Sequence, residues 1–388
     1  MKTQRMILAV IACLFLLFFA DAVRIEWSWF RRNSEYATAA QLAAAAVHSE
    51  ETLNDGFKLR YICYEIAGLF NRGIGRRNVD NVYRLPTGHL VSVGERVDVA
   101  ESAAGMKEFQ DFCSAKEIPL LYVNLPVNII RSEDLAMFGV TDQSGVRADR
   151  LLEELEAAGI DTLDMRPYIM SHFEDPCDAF YKTDHHWKIS TGLFCAQILS
   201  EQLRNRYGLD LDLDAISDEA FSVTLMKNSW VGERGKKTGS IYSGLDDFEL
   251  IKPIAETHFH LTIPKRNLDT TGSFSILLDE KRYETGFWGR RYGPSFYYSY
   301  LFGNDPIQII QNEDHDKGKI LIVKDSFAQA VNPFLAMTAG TLVSWDLRHN
   351  EKSLQEYIEE NDFDVVVVMY CESMINRNRE TRFMFDFT

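Results

Sequence analysis

The sequence predicts an α/β fold, a parallel sheet with helices on both faces, into which an antiparallel, loop-rich insertion is set. Three observations carry this reading. Helical segments and short apolar runs alternate from residue 98 to 206, and the same rhythm returns within 313–388. Between them, 207–312 is rich in Gly, Thr, Tyr and Phe and breaks the rhythm. Alternating strands and helices build parallel sheets covered on both sides, because each crossover lays a helix on a sheet face.

The elements follow in order. Lys2 and Arg5 precede an apolar run, Met6 to Ala20, and then Ala20-Asp21-Ala22. Residues 1–23 therefore read as a signal peptide or a signal anchor. The run of about fifteen residues suits a signal-peptide core and falls short of the ~20 that span a bilayer, so cleavage and anchorage both stay open. Either places the rest of the chain outside the cytoplasm: at the cell membrane with an extracytoplasmic domain, or secreted. A helical juxtamembrane segment is expected over 24–80, alanine-rich from 34 to 50. Residues 81–206 form the first part of the α/β domain. They open with two short strands about the Pro86-Thr87-Gly88 turn. A helix over Val99–Lys116 and a strand over Ile118–Leu125 come next. An amphipathic helix, Asp149–Ala158, is stopped by Gly159. A strand over Ile160–Met165 and a helix over Ser190–Arg206 complete this part. In the insertion, 207–312, alternation predicts strands in Glu256–Thr262 and Ser273–Leu278. Residues 313–388 form the second part: strand Lys319–Val323, helix Phe327–Ala339, strand Thr341–Trp345, helix Lys352–Glu360 and strand Asp364–Met369.

A chain of 388 residues suits one large domain with an insertion. The net charge of −16 argues against binding nucleic acid or an anionic membrane through a general positive field. Local basic stretches exist at Arg72, Gly75-Arg76-Arg77 and Arg234-Gly-Lys-Lys237, and solvated surface charge is the expected reading of them. Apart from Cys13 in the apolar run, the cysteines are Cys63, Cys113, Cys177, Cys195 and Cys371. An odd number without a C-x-x-C pair makes neither a zinc knuckle nor a full disulfide framework. One or two bridges and buried free thiols both remain open.

Candidate chemistry sits in two places. Lys319-Ile-Leu-Ile-Val-Lys-Asp-Ser-Phe-Ala328 is a β-branched strand ending in Asp-Ser with a helix expected immediately after. Sites in open parallel sheets form at the carboxyl ends of strands, and amides at a helix N-terminus can stabilise an oxyanion. Serine is also a good N-cap, so Ser326 alone is as well read as a cap. The second place is Phe180-Tyr-Lys-Thr-Asp-His-His-Trp-Lys-Ile-Ser190. A serine nucleophile needs a base within reach and the base needs a carboxylate to hold its tautomer, and His186 and Asp184 can supply both from one loop. Metal binding by Asp184, His185 and His186 competes with this, without a further ligand set of supporting spacing; His258 and His260 only alternate along an insertion strand. A solvent-exposed loop with chance histidines is the third reading. Tyr297, Tyr298, Tyr300, Phe302 and Trp288 could stack on sugar rings, although aromatic strands more often build core.

The Asp-His-His-Trp block resembles the namesake motif of the DHHW protein family. So do Gly232-Glu-Arg-Gly-Lys-Lys-Thr-Gly239, Tyr297-Tyr-Ser-Tyr-Leu-Phe-Gly-Asn304, Lys324-Asp-Ser-Phe327 and Asn332-Pro-Phe-Leu335. The resemblance runs from about residue 80 to the end. The Asp-x-His…Asp-Ser-Phe arrangement also resembles the SGNH-like alginate O-acetyltransferases, whose corresponding residues form a triad that moves acetyl groups onto an exopolysaccharide. The resemblance implies Asp184, His186 and Ser326 as catalytic residues, and it implies an SGNH or flavodoxin-like sheet in circularly permuted order. The Asp-His block here precedes the serine by about 140 residues, whereas in ordinary SGNH hydrolases it follows. Ser326 then follows the first strand, Thr341–Arg348 matches the second and Asp364–Glu372 the third, and the insertion fills the join, which adds little loop-closure entropy.

Two departures stand out. The usual Asp-x-x-His spacing is shortened, with Trp187 in the fourth place. The oxyanion Asn after the third strand is replaced by Tyr370-Cys-Glu-Ser373, leaving Asn304 or Arg348 as substitute donors. The expected function is acyl chemistry, as transferase or esterase, on a cell-envelope polysaccharide, with an acyl donor supplied by a membrane-bound acyltransferase. No cofactor, resident metal or nucleic acid is expected. The alternative is a non-catalytic, membrane-tethered glycan-binding protein.

Overall fold

Uninterrupted β-branched runs make the centre of the molecule. Val365 to Val368 and Ile320 to Val323 are fully buried, as strands covered on both faces must be. The structure is a computed structural model and describes residues 60–129, 132–375, 378–379 and 382–388, with positions 20 and 24. The apolar run at the start and the alanine-rich helix expected over 34–50 lie outside the described residues. Among the described residues no helix is long and apolar enough to cross a membrane.

The chain runs through α1 (Arg60–Gly73), β1 (Asn78–Val79), β2 (Val82–Arg84), β3 (Leu90–Val91), α2 (Ala100–Ala115) and β4 (Leu120–Leu125). Then come α3 (Ser144–Ala157), β5 (Asp161–Asp164) and α4 (Ile189–Tyr207). The stretch expected as an insertion contributes β6 (Phe221–Trp230), α5 (Glu233–Thr238), β7 (Asp246–Pro253), β8 (Phe259–Ile263), β9 (Leu268–Gly272) and β10 (Ile307–Asn312). β11 (Lys319–Lys324), β12 (Thr341–Trp345), α6 (Leu354–Glu359) and β13 (Val365–Cys371) follow. The main sheet has eight strands in the order β5-β4-β13-β11-β12-β10-β8-β9. The first five are parallel to one another and the last three join antiparallel. Numbered from β11 in the permuted sense, the parallel part has order 2-1-3-4-5, the flavodoxin-like arrangement, whose switch point lies between β11 and β13. The other insertion strands, β6 and β7, form a separate antiparallel hairpin.

Two local expectations are corrected. Ser273–Leu278 is not a strand but a 3-10 turn, Phe274–Leu277. Its apolar Phe274 and Leu277 lie three residues apart and both point into the core, a spacing one 3-10 turn satisfies as well as alternation does. The helix expected over Phe327–Ala339 is instead a 3-10 turn, Ser326–Ala330, and one helical turn, Asn332–Leu335. Pro333, in the first turn of the second piece, has no N–H to continue a helix from upstream but is well suited to start one.

Candidate active site

Ser326 follows β11 at the switch point. Asp325 shapes the turn it opens: Oδ1 accepts from the Phe327 amide at 2.8 Å and Oδ2 from the Cys371 amide at 2.6 Å, tying the end of β11 to β13. The Phe327 carbonyl accepts from Trp187 Nε1 at 3.0 Å and from the Tyr297 hydroxyl at 2.8 Å. The fourth residue of the Asp-His-His-Trp block thus holds the serine turn in place.

The loop carrying Asp184 and His186 is closed at its base by the Phe180–Trp187 bridge. Asp184 Oδ1 accepts from the amides of His185 (2.8 Å) and His186 (3.0 Å) and from His186 Nδ1 (2.6 Å). Its Oδ2 accepts from the Glu233 amide at 2.8 Å. On the far side of the imidazole, His186 Nε2 stands 2.9 Å from Ser326 Oγ. All three residues singled out from the sequence therefore meet, across 140 residues of chain. Ser326 is 7% exposed and His186 1%, so the base is fully shielded and the serine nearly so. Tyr297 stacks on the imidazole at 4.0 Å.

Electrostatics suit these roles. Burial opposes the charge on Asp184, yet the neighbouring His185 and His186 and the bonds from His186 and Glu233 hold its carboxyl well below the usual range. Burial and the proximity of His186 push His185 down. Asp184, His185 and His186 bring their ligand atoms within 4.8 Å of one another, so these three would be the residues to hold a metal. Both Asp184 oxygens already accept N–H bonds, so a metal would have to replace them. His258 and His260 take no part: His258 bonds Asp314 at 2.8 Å and His260 bonds Asp269, both away from this loop.

The insertion supplies the loop's cradle, which sequence reasoning did not reveal. Thr183 binds Asp246 of β7 through its amide at 2.8 Å, and its hydroxyl accepts from the Gly232 amide at 2.7 Å. A Cβ on Gly232 would stand 2.3 Å from Asp184 Cβ, so the block Gly232–Gly239 needs glycine there to bring the first amide of α5, that of Glu233, to the acid. Gly232 just before a short helix, with Gly235 within it, was the available signal.

Possible oxyanion donors differ from the expectation. The Phe327 amide is taken by Asp325, and no long helix starts at Ser326. Asn304 accepts from buried Lys324 Nζ at 2.9 Å and from Gln329 at 3.0 Å. Arg348 is held by Asp346 through Nε (2.9 Å) and Nη2 (2.6 Å), with Asp325 and Tyr298 in its field. Tyr298, which sequence reasoning had counted only among stacking aromatics, stands edge-on to the His186 ring at 5.6 Å, with Ser326 among the groups that act on its hydroxyl. Tyr297 and Tyr300 are fully buried core, and Trp288 is half exposed.

A cleft of about 520 Å³ opens along the same sheet edge, lined among others by Asn128, Asp142, Asp164, Arg166, Met170 and Glu372. Glu372, 1% exposed, has Arg166 at 3.9 Å from one oxygen and, among the described residues, no hydrogen-bond partner for the other. Burial pushes its carboxyl up to about 8, with Arg166 only partly opposing.

A permuted 2-1-3-4-5 sheet with Ser, His and Asp converging at its switch point is the arrangement that the SGNH resemblance implies. Residues 87–227 match the family model described as SGNH hydrolase-like domain, acetyltransferase AlgX; the match includes Asp184 and His186 and ends before Ser326. Among solved structures, PatB1 of Bacillus cereus with a sulfonyl adduct superposes with a TM-score of 0.63 at 16% identity, over 80% of this chain and 98% of that one. A DHHW family protein from Eubacterium siraeum superposes with a TM-score of 0.61 at 14% identity, over 78% of this chain and 94% of that one. No curated protein matches the chain in sequence. Residues 87–227 carry the SGNH hydrolase-like match, and the chain's resemblance to the DHHW and AlgX-type proteins holds.

Proposed function

We propose that the protein is an extracytoplasmic serine O-acyltransferase or carbohydrate esterase acting on acyl groups, acetyl foremost, of a cell-envelope polysaccharide. The observation that carries this reading is the unbroken chain Ser326 Oγ–His186 Nε2–His186 Nδ1–Asp184, at 2.9 and 2.6 Å. Ser326 Oγ attacks the carbonyl carbon of an acyl donor while His186 Nε2 takes the hydroxyl proton and Asp184 steadies the imidazolium. The oxyanion is met by the Ser326 amide and the Tyr298 hydroxyl, with the Arg348 charge behind them. Collapse passes the proton from His186 to the leaving group and leaves acyl-Ser326. A sugar hydroxyl then gives its proton to His186 and takes the acyl group, restoring Ser326; in an esterase, water does so. The residue 87–227 match to an acetyltransferase domain supports the acetyl group. The apolar run after Lys2 and Arg5 supports placement outside the cytoplasm. A membrane-bound acyltransferase is the proposed source of the donor.

The sulfonyl adduct in the PatB1 structure suggests the probe. A sulfonyl fluoride should modify wild-type protein at Ser326 and leave Ser326→Ala and His186→Ala unmodified. Cells carrying Ser326→Ala should differ from wild type in the acyl content of their surface polysaccharide. A folded wild type that resists the probe, with unchanged polysaccharide in the variant, would return the reading to a non-catalytic glycan-binding protein.

A further inference from the structure

The basic stretch at Arg72, Arg76 and Arg77 is not used by the serine site, and the helix beside it has an unusual surface. α1 sits on the rest of the protein by a narrow face. Its Glu65 carboxylate accepts from the amides of Ser240 (3.0 Å) and Ile241 (2.8 Å) and from the Tyr292 hydroxyl (2.7 Å). Tyr61 stacks on Tyr292 at 4.0 Å. At Gly68 a Cβ would stand 2.8 Å from the Thr238 carbonyl oxygen. Positions 61, 65 and 68 follow one another at helical spacing and mark the inner face.

The opposite face is apolar and open. Ile66 is 57% exposed, Leu69 59%, Phe70 65% and Ile74, just past the helix, 60%. Phe287 (61%) and Trp288 (49%) are likewise exposed, on the short helix Phe287–Tyr292, whose Tyr292 is the one α1 stacks on. Single exposed apolar residues need no explanation, but a connected group of this size does. Arg76 and Arg77 are exposed just past the helix, with Arg76 Nε donating to the Asn78 carbonyl at 2.8 Å; Arg72, towards the inner side, donates to the Ile241 carbonyl at 2.7 Å, and Arg291 lies over the Phe287 ring at 3.7 Å. Between 60 and 77 the only acid is Glu65, and it faces inward. The region is thus locally positive in a chain of net charge −16.

We propose that α1 and the neighbouring Phe287–Trp288 corner lie in the surface of an anionic lipid bilayer, apolar side chains among the acyl chains and arginines at the headgroup phosphates. Aliphatic and aromatic residues backed by arginine are the composition of interfacial helices. The arginines complement lipid phosphate and oppose pairing with a second copy that carries the same charge. The chain ahead of α1 points the same way, since its apolar run, residues 6–20, joins α1 through only 21–59. A tether of that length makes docking intramolecular, so a weak interfacial helix suffices. α1 also packs on α5, whose first amide holds Asp184, so docking would bring the triad loop to the membrane that supplies a lipophilic or membrane-delivered acyl donor. The docking itself does not depend on the serine chemistry.

Cys63 is the exposed thiol among the described cysteines and lies on the outer face of α1. The full chain carrying Cys13→Ser would be labelled at Cys63 with an environment-sensitive fluorophore. It would be reconstituted in vesicles of phosphatidylglycerol and phosphatidylcholine that contain lipid spin-labelled just below the headgroup. Docking predicts blue-shifted emission and quenching, both weakened when phosphatidylglycerol is omitted or salt is raised. Ile66→Ser with Phe70→Ser, both at exposed positions, should lower the docked-to-undocked ratio at least about tenfold. Sulfonyl labelling of Ser326 and an unchanged melting temperature would show that this variant is folded. The proposal is overturned by an unquenched wild type, by a label equally shielded in detergent without lipid (cover by the chain's own first residues), or by Cys63–Cys63 crosslinking that accounts for the shielding.

Discussion

Two buried carboxyls on one sheet edge meet opposite fates. Asp184 and Glu372 are each 1% exposed, and burial alone raises both. Asp184 receives four N–H donors within 3.0 Å and stays ionised. Glu372 has one guanidinium at 3.9 Å and an oxygen without a hydrogen-bond partner among the described residues, and it holds its proton up to about pH 8. The two neighbouring imidazoles and the close N–H donors therefore decide the charge, and burial sets only what they must overcome. An acid that orients a catalytic base has to be permanently ionised, and only the Asp184 environment delivers that.

The largest effect is expected at Asp184. Asp184→Asn should lower the rate of acyl transfer or hydrolysis by about 10⁴-fold, because an amide no longer fixes the tautomer or steadies the imidazolium. Its folded value is depressed, so its stabilising contribution is present above pH 3.8, the ordinary value, and is lost as pH falls through the lower folded one. The gap in urea midpoint between wild type and the Asn variant should therefore narrow on acidification below about pH 4, and a gap that widens instead would contradict the donor account.

Gly232→Ala tests the same point from the insertion. A Cβ 2.3 Å from that of Asp184 must displace either the acid or the Glu233 amide. A shift of about 1 Å should cost roughly 10²-fold in rate, read as a fall in kcat with the protein still folded by circular dichroism.

Glu372→Gln should leave the rate unchanged and act on stability alone. The Glu372 value is raised, so its favourable contribution is complete below pH 4.5 and is lost as pH rises to about 8. Wild type should weaken relative to the Gln variant across that window, by an amount on the order of a few kcal/mol, and the difference should level off above it. A difference that does not vary with pH would mean that Glu372 is charged in the fold and has a partner.

Much of the fold was legible because the parallel strands are continuous apolar runs and their helices carry clean periodicity. Ile118–Leu125, Lys319–Val323 and Asp364–Met369 each became a strand within two residues of the expected ends. The failures are also physical. Ser273–Leu278 carries a pattern that a 3-10 turn and a strand share, and Pro333 divides a segment whose composition is otherwise helical. The catalytic candidates were legible as types, an acid, a base and a hydroxyl near strand ends. Their cradle was not, because the Thr183–Asp246 and Glu233–Asp184 bonds join residues about 50 or more positions apart.

The triad opens a last comparison, between local pattern and assembled site. By itself the sequence determined the parallel α/β core and named Asp184, His186 and Ser326, since apolar period and residue chemistry are local properties. Only the tertiary structure decided that these three converge, that Trp187 and Tyr297 clamp the serine turn, and that the Glu233 amide joins the two imidazoles in keeping Asp184 charged. Hydrogen-bond distance and donor count depend on how separate segments pack, and no periodicity along the chain records them.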